Sequence, residues 1–427
     1  MRINIRNRVR VKPSRETNAM TQIAPGFIPT RHRRSEHIGA VLGKLGRIMP
    51  AIEAPDAERW HQIGVALMQG DAAMDRLLDA MSRHGMREAR QQFETALTHG
   101  IDAVPNVLPA LRQFMAEVST PPAWLDRARV ERGAELFRRC GKTAFHVGRN
   151  VALLGGYQAS AFNRTLILTG ALQKGPTRRL AETVQWKLDC TVEGGLEPHA
   201  IGWRSTLTVR FIHALVRRTV AARPDWQLAD WGLPINQADM GATLYGSLLV
   251  PVLGSRLLGM PQTRRERDDA AHLVRYVGWL IGVDERWLAD TENGGAAQLL
   301  QFLLSLTNPD ETSPMMAQPL AWEPLHREYP NFGWLRGRYE YAKNMSISRA
   351  FLGAEAMQRL GIPTRMLPWY PLLAIPRNFV RHSVSRVVPG GRKRAAQRGR
   401  AAQEANVRSM VMQQGVAVGA SLTAQPH

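Results

Sequence analysis

The sequence predicts an all-α protein, and three observations carry that expectation. Hydrophobic residues recur with a helical period along nearly all of the 427-residue chain. No alternating run long enough for a strand is present, and neither a glycine-rich phosphate loop nor a dinucleotide fingerprint occurs. Apolar residues make up 44% of the chain, enough for a sizeable core. The length would allow two or three domains, although large helical proteins often form one continuous unit.

The elements follow in order. After a basic segment, residues 37–49, 56–68, 72–84 and 86–99 read as short amphipathic helices joined by brief loops. Pro105 and Pro109 open a helix that reaches about Val118, where Pro121 and Pro122 stop it. Residues 125–154 continue helically up to the Gly155-Gly156 pair. A helix bearing Arg179 begins after Gly175-Pro176, with Thr177 as candidate N-cap. Pro234-Ile235-Asn236 marks the start of a long apolar helix, with Asn236 as cap and Asp239 in its first turn. Another helix runs from Arg264 to Gly282, and a further N-terminus falls near Asp284. The uncharged runs 240–255 and 293–309 fall short of the roughly 20 apolar residues that span a bilayer, and read as buried helices. Residues 366–376 are apolar and aromatic beside Arg377 and Arg381, suited either to shallow contact with a membrane or to packing back as a proline-interrupted element. Residues 390–402, rich in Arg, Ala, Gly and Gln, are expected to stay mobile or to form a helix only on contact.

The formal charge is +20. Residues 1–34 carry nine cations against Glu16 and residues 377–408 nine against Glu404, so the ends hold +16 and the middle about +4. Basic arms bind anionic surfaces, acidic lipid or nucleic acid, without specifying which. Only Cys140 and Cys190 are present, with no C-x-x-C and no zinc spacing, a composition suited to a reducing compartment and to a cofactor bound non-covalently. Residues 1–30 lack a continuous apolar run of secretory type, which makes cytoplasmic residence the default expectation.

The candidate site centres on Val209-Arg210-Phe211-Ile212-His213-Ala214-Leu215-Val216-Arg217-Arg218. At about 100° per residue, Arg210, His213 and Arg217 fall within roughly 60° of one another, while Val209, Ile212 and Val216 cluster elsewhere. A histidine between two arginines suits a metal-bearing, anionic cofactor, because imidazole binds metals and guanidinium clamps carboxylates. Haem, with one iron and two propionates, fits. Upstream, Arg179 and Thr183 stand at i and i+4 on one helix face, and His213 follows 34 residues after Arg179.

This order, Arg-x-x-x-Thr and then Arg-x-x-His-x-x-x-Arg, resembles the oxygenase family that includes bacterial latex-clearing protein and the fungal oxygenase of mycophenolic acid biosynthesis. Segments 234–240 (Pro-Ile-Asn-Gln-Ala-Asp-Met) and 275–283 (Arg-Tyr-Val-Gly-Trp-Leu-Ile-Gly-Val) are similar to segments of that family, and the likeness covers about residues 130–300. The resemblance implies a b-type haem in an all-helical fold. His213 would ligate iron, Arg210 and Arg217 would support it and the propionates, and Arg179 and Thr183 would face dioxygen. Two positions depart from the pattern. Where the family has a lysine before the distal threonine, this chain has Glu182, and where it has an acidic residue sixteen positions before the distal arginine, this chain has Asn163. The proposed base and the rubber substrate are therefore not carried over; Glu182 is a candidate for a functional carboxylate, against its reading as a solvated residue on a helix edge.

A di-metal alternative rests on Glu58/His61 and Glu323/His326, with Asp269/His272 a near relative. It needs two such units inside core helices, and Pro324 argues against a helix interior there. His272 is instead a candidate for a group behind the cofactor.

Together these readings predict an all-α multi-helix bundle around a buried b-type haem: a basic disordered arm (1–36), a helical oxygenase body (37–376) and a basic mobile arm (377–427). The expected activity is that of a haem b oxygenase using dioxygen on an apolar, isoprenoid-like or unsaturated substrate, cytoplasmic and peripheral to an acidic membrane surface, with nucleic acid the less favoured partner. The competing class is a non-catalytic helical protein that binds membrane or nucleic acid through its termini.

Overall fold

The computed structural model describes residues 26–33, 55–170, 176–329 and 331–412, and among them every regular element is a helix. Four helices lead in: α1 (Ala57–Ala66), α2 (Ala72–His84), α3 (Met86–His99) and α4 (Pro109–Ser119). Asp56 and Asp71 cap α1 and α2 by accepting from the N–H groups of Arg59 and Met74, as short acidic side chains do at helix starts. α5 (Arg127–Val147) runs into a wide π turn (Gly148–Leu153) and is followed by α6 (Ser160–Leu168). The antiparallel pair α7 (Pro176–Thr191) and α8 (Ile201–Ala221) comes next. The predicted helix at 37–49 lies outside the described residues.

The long apolar helix is present, but not uniform: α9 (Gln237–Leu244) passes through a second π turn (Tyr245–Leu249) into α10 (Val250–Leu257). Pro251 has no N–H to offer the preceding turn, and the widened turn just before it absorbs the mismatch. Asn236 caps α9 as expected, its side chain accepting from the Asp239 N–H at 2.9 Å. α11 (Arg264–Leu280) begins with a capping box of Thr263 and Glu266. α12 (Glu292–Leu303), α13 (Thr312–His326), α14 (Gly333–Phe351), α15 (Gly353–Arg359), α16 (Trp369–Val387) and α17 (Gly391–Met412) follow among the described residues. Contrary to expectation, α13 carries both Pro319 and Pro324 in its interior.

Two apolar clusters form the core. One gathers Phe93, Trp203, Phe211, Tyr245, Trp287 and Phe302; the other gathers Tyr157, Leu180, Leu320, Met345, Met357 and Met410. α7 belongs to both, giving Trp186 and Cys190 to the first and Leu180, Val184 and Leu188 to the second, so it lies on the seam.

Within the two segments expected to be mobile arms, residues 26–33 and 377–412 are placed against the body. Arg31, within the segment expected to be disordered, is buried and grips Asp239 with one nitrogen at 2.9 and 2.8 Å from its two oxygens, and His32 stacks on Trp60. Beyond residue 376, α16 and α17 fold back, and α17 packs along α5. The two helices cross at glycines: a Cβ on Gly399 would stand 2.0 Å from the Arg138 carbonyl, and Gly141, with φ of 49°, meets Gly399 from the other side. Ala395, Ala396, Val407 and Met410 are buried by this docking. Small side chains on the docked face let a basic, low-complexity segment approach closely enough to fold.

Candidate functional site

α7 and α8 are locked where Trp186 Nε1 donates to Thr206 Oγ1 at 3.0 Å. Arg179 lies seven residues before Trp186 and His213 seven after Thr206, so antiparallel geometry brings them level. Their charges interact accordingly. The His213 pKa is pushed down to about 4, by burial first and by the charge of Arg217 next, with Asp71 opposing and Arg179 adding to the lowering. The imidazole is therefore neutral at physiological pH. Its Nδ1 is buried with no hydrogen-bond partner among the described residues, although the residue as a whole keeps some accessible surface.

The two flanking arginines do not stand free. The Arg210 Nε and one terminal nitrogen form a fork on Asp71 at 2.5 and 2.8 Å, and the other terminal nitrogen donates to the Leu280 carbonyl at 3.3 Å. Arg217 holds Asp75 at 2.8 Å and donates to the Ile235 carbonyl at 2.9 Å. Ile235 has φ of 51°, an uncommon conformation for a β-branched residue, so the chain before α9 is held in a strained shape beside this contact. Each guanidinium expected to serve a propionate is matched here by a carboxylate, and together the two pairs fix α8 on either side of His213.

Arg179 differs. No side-chain hydrogen bond or ion pair engages it among the described residues, and burial depresses its pKa. Its charge reaches the buried Tyr157, whose phenol burial pushes up to about 12. Thr183 is exposed, and its hydroxyl donates to the Arg179 carbonyl at 3.0 Å, which leaves oxygen lone pairs but no proton for another group. Glu182 accepts from Arg178 at 3.2 Å in a surface i,i+4 pair. A catalytic part for it has no support in this arrangement, because the carboxylate has a cation of its own and lies partly in solvent.

Asn163 is buried, with its amide nitrogen donating to the Tyr157 carbonyl at 2.7 Å and to Thr312 Oγ1 at 3.1 Å. It holds no proton-accepting carboxylate in the interior. His272 accepts from the Asp126 N–H at 3.0 Å and its other nitrogen meets Asp290 at 2.5 Å, so it ties α11 to its neighbours. Among the described residues no group of three or more His, Cys, Asp or Glu side chains could hold a metal ion. Of the di-metal candidates, Glu323 pairs with Arg149 and Arg327, while His326 is exposed.

Sequence reasoning missed Lys187. It follows Thr183 by four residues, so Arg179, Thr183 and Lys187 fall within about 80° on α7. Its ammonium has no hydrogen bond or ion pair among the described residues and lies beside Gly148 at the start of the first π turn, where a Cβ would stand 3.8 Å from it. Burial alone brings its pKa down to about 8. The four-residue spacing was the available signal.

Motif order and an all-helical frame agree with the oxygenase class, and comparison with known proteins supplies it. The chain belongs to the family described as ER-bound oxygenase mpaB/B'/rubber oxygenase, catalytic domain, whose model matches residues 143–381. It is 24% identical over 287 residues to the rubber oxygenase of Streptomyces sp. (strain K30), a stretch covering 64% of this chain and 70% of that protein. Its fold is similar to the structure of latex clearing protein LCP in the closed state, with a TM-score of 0.62 and 19% identity, covering 79% of this chain and 92% of that one. The protein is thus an enzyme of the oxygenase class, which sets aside the non-catalytic reading. No helix of the described residues is long and apolar enough to cross a membrane.

Proposed function

We propose that the protein is a haem b-dependent oxygenase that uses dioxygen on an apolar, unsaturated substrate of isoprenoid-like character, at the cytoplasmic face of a membrane. The observation that carries this reading is His213, an imidazole kept neutral by burial, with Nδ1 unpartnered among the described residues, on a helix that one buried and one half-buried ion pair hold in place. That donor fits iron. Arg179 and Lys187, cations of α7 without a partner among the described residues, are the groups available to anionic parts of a cofactor or substrate.

When bound, haem would supply the one-electron and dioxygen chemistry. Arg179 offers fixed N–H donors and a positive charge toward the oxygen substrate, in surroundings where burial strengthens both. Leu180 and Val184 of the second cluster, with Val250 and Leu253 from α10, present apolar surface suited to a hydrocarbon. A catalytic base of the carboxylate type is not part of this reading, since Asn163 and Glu182 do not supply one.

The test is spectroscopic and kinetic. Protein made with ample haem should show a Soret band, His213→Ala should lose it, and Arg179→Ala should keep it while oxygen consumption falls about a hundredfold. A colourless wild-type protein after reconstitution, or a His213→Ala variant with unchanged haem content, overturns the assignment.

A further inference from the structure

α16 is built inside out. The residues it buries are Ala374, Asn378 and Ser385, whereas Leu372, Leu373, Phe379, Val380, Val384 and Val387 are exposed, Leu372 at 72% and Val387 at 81%. At about 100° per residue those six fall within an arc of about 140° facing away from the body, along a helix about 28 Å long. Arg377 and Arg381 border one edge of the arc, exposed and with no ion pair among the described residues. α14, which packs against α16, exposes further apolar side chains at its start. There Phe332, Trp334 and Leu335 are exposed, Trp334 at 73%, and the Tyr339 and Trp369 rings meet at 6.1 Å across the junction. An exposed apolar arc of this length on a folded protein marks a docking face.

Charge indicates what docks. Residues 356–403 contain ten lysines and arginines and not one aspartate or glutamate. A second copy placed face to face would oppose two such sets of cations, whereas a bilayer with acidic headgroups matches both the apolar arc and its basic border. Tryptophan and tyrosine at the margin are the residues that settle at headgroup level.

We propose that the outward face of α16, extended by Phe332–Leu335, seats the enzyme in the plane of an acidic lipid bilayer. The helix lies in the interface with its apolar arc below the headgroups and Arg377 and Arg381 among them. Inward, Leu352 and Met366 pack on the same apolar cluster as Leu180 and Val184, which connects the seat with the Arg179 face of α7. Delivery of an apolar substrate along that cluster rests on the function proposed above; the docking itself does not.

The experiment is co-sedimentation of the full-length protein with vesicles of phosphatidylcholine alone or with one part in three phosphatidylglycerol, alongside a size measurement in solution and the haem spectrum of each fraction. Wild-type protein is expected to prefer the acidic vesicles. Leu372→Glu with Phe379→Glu should weaken binding at least about tenfold, and Arg377→Gln with Arg381→Gln about tenfold with loss of the preference. The proposal is overturned if wild-type protein ignores acidic vesicles, or if the Leu372→Glu/Phe379→Glu protein binds them as wild type does. It is also overturned if wild type is a dimer without vesicle affinity that these substitutions split, which would make a second copy the occupant. A protein that binds vesicles but lacks a Soret band keeps the seat and loses the haem reading, and the reverse pattern separates them equally.

Discussion

His213 and Lys187 are both buried bases, and burial lowers the proton affinity of each, yet they impose different demands on the protein. A neutral imidazole costs little in an apolar setting, whereas an ammonium without a counter-charge opposes folding. Lys187 in the folded state releases its proton near about 8, against 10.5 for the free side chain. The unfolded chain therefore holds more protons between those values, and stability contributed by this group rises as pH increases from about 8 to 10.5. Below about pH 8 the full penalty is present. In haem-free protein, Lys187→Met should raise stability at pH 7 by on the order of 1–3 kcal/mol and flatten the rise between pH 8 and 10.5. Thermal unfolding across that pH range checks it; a variant no more stable than wild type at pH 7 removes the argument for a buried charge.

α8 owes its position to partners far away in sequence. Arg210 meets Asp71 of the α2 cap and Arg217 meets Asp75 within α2, so the helix is pinned above and below His213. The Arg210–Asp71 fork is buried on both sides, and removing its cation would strand a carboxylate. Arg210→Met should cost about 3–5 kcal/mol, and Arg210→Lys should restore only part, because an ammonium cannot reproduce the fork. Urea unfolding of the three proteins measures this, and a loss below about 1 kcal/mol for Arg210→Met would mean that the pair does not fix the helix. The two π turns play a related part. The Asn150 carbonyl, within the first, accepts from Ser348 at 3.0 Å, and its side-chain amide donates to Asn344 at 2.9 Å, so a widened turn is held open by α14.

For the whole molecule, the consequence of α17 docking on α5 is that the C-terminal basic segment is part of the body. Its cations are partly balanced there: Arg386 reaches Glu266 at 2.9 Å and Arg400 reaches Glu404 at 2.7 Å. Cutting the chain after residue 376 therefore does not leave an intact enzyme behind, as a mobile arm would allow. Gly399→Ala should destabilise the protein by about 1–3 kcal/mol, because the added methyl meets the Arg138 carbonyl and α17 must lift from α5. Truncation after Gly390 should cost more, since it also uncovers the surface that Val407 and Met410 fill. Differential scanning calorimetry distinguishes these outcomes, and an unchanged melting temperature for Gly399→Ala would show that the crossing is looser than drawn.

Local chemistry by itself determined the helical class, most helix starts and the order of the site motifs. Asp56, Asp71, Asn236 and Thr263 cap helices through contacts no more than three residues away, and the periods of α2 and α3 are complete within the segments themselves. The antiparallel α7–α8 pair, with its short link, likewise made Arg179 and His213 neighbours legible as a motif. Tertiary structure alone decided where the charges go: Arg210 and Arg217 find Asp71 and Asp75 across 139 and 142 residues, Glu182 takes Arg178, and Lys187 takes no partner among the described residues. It also decided which side of α16 is covered, since a helical period states that a face is apolar but not whether the body lies behind it. Capping and periodicity are satisfied within a turn or two of the chain, whereas pairing and burial depend on surfaces that exist only once distant helices have packed.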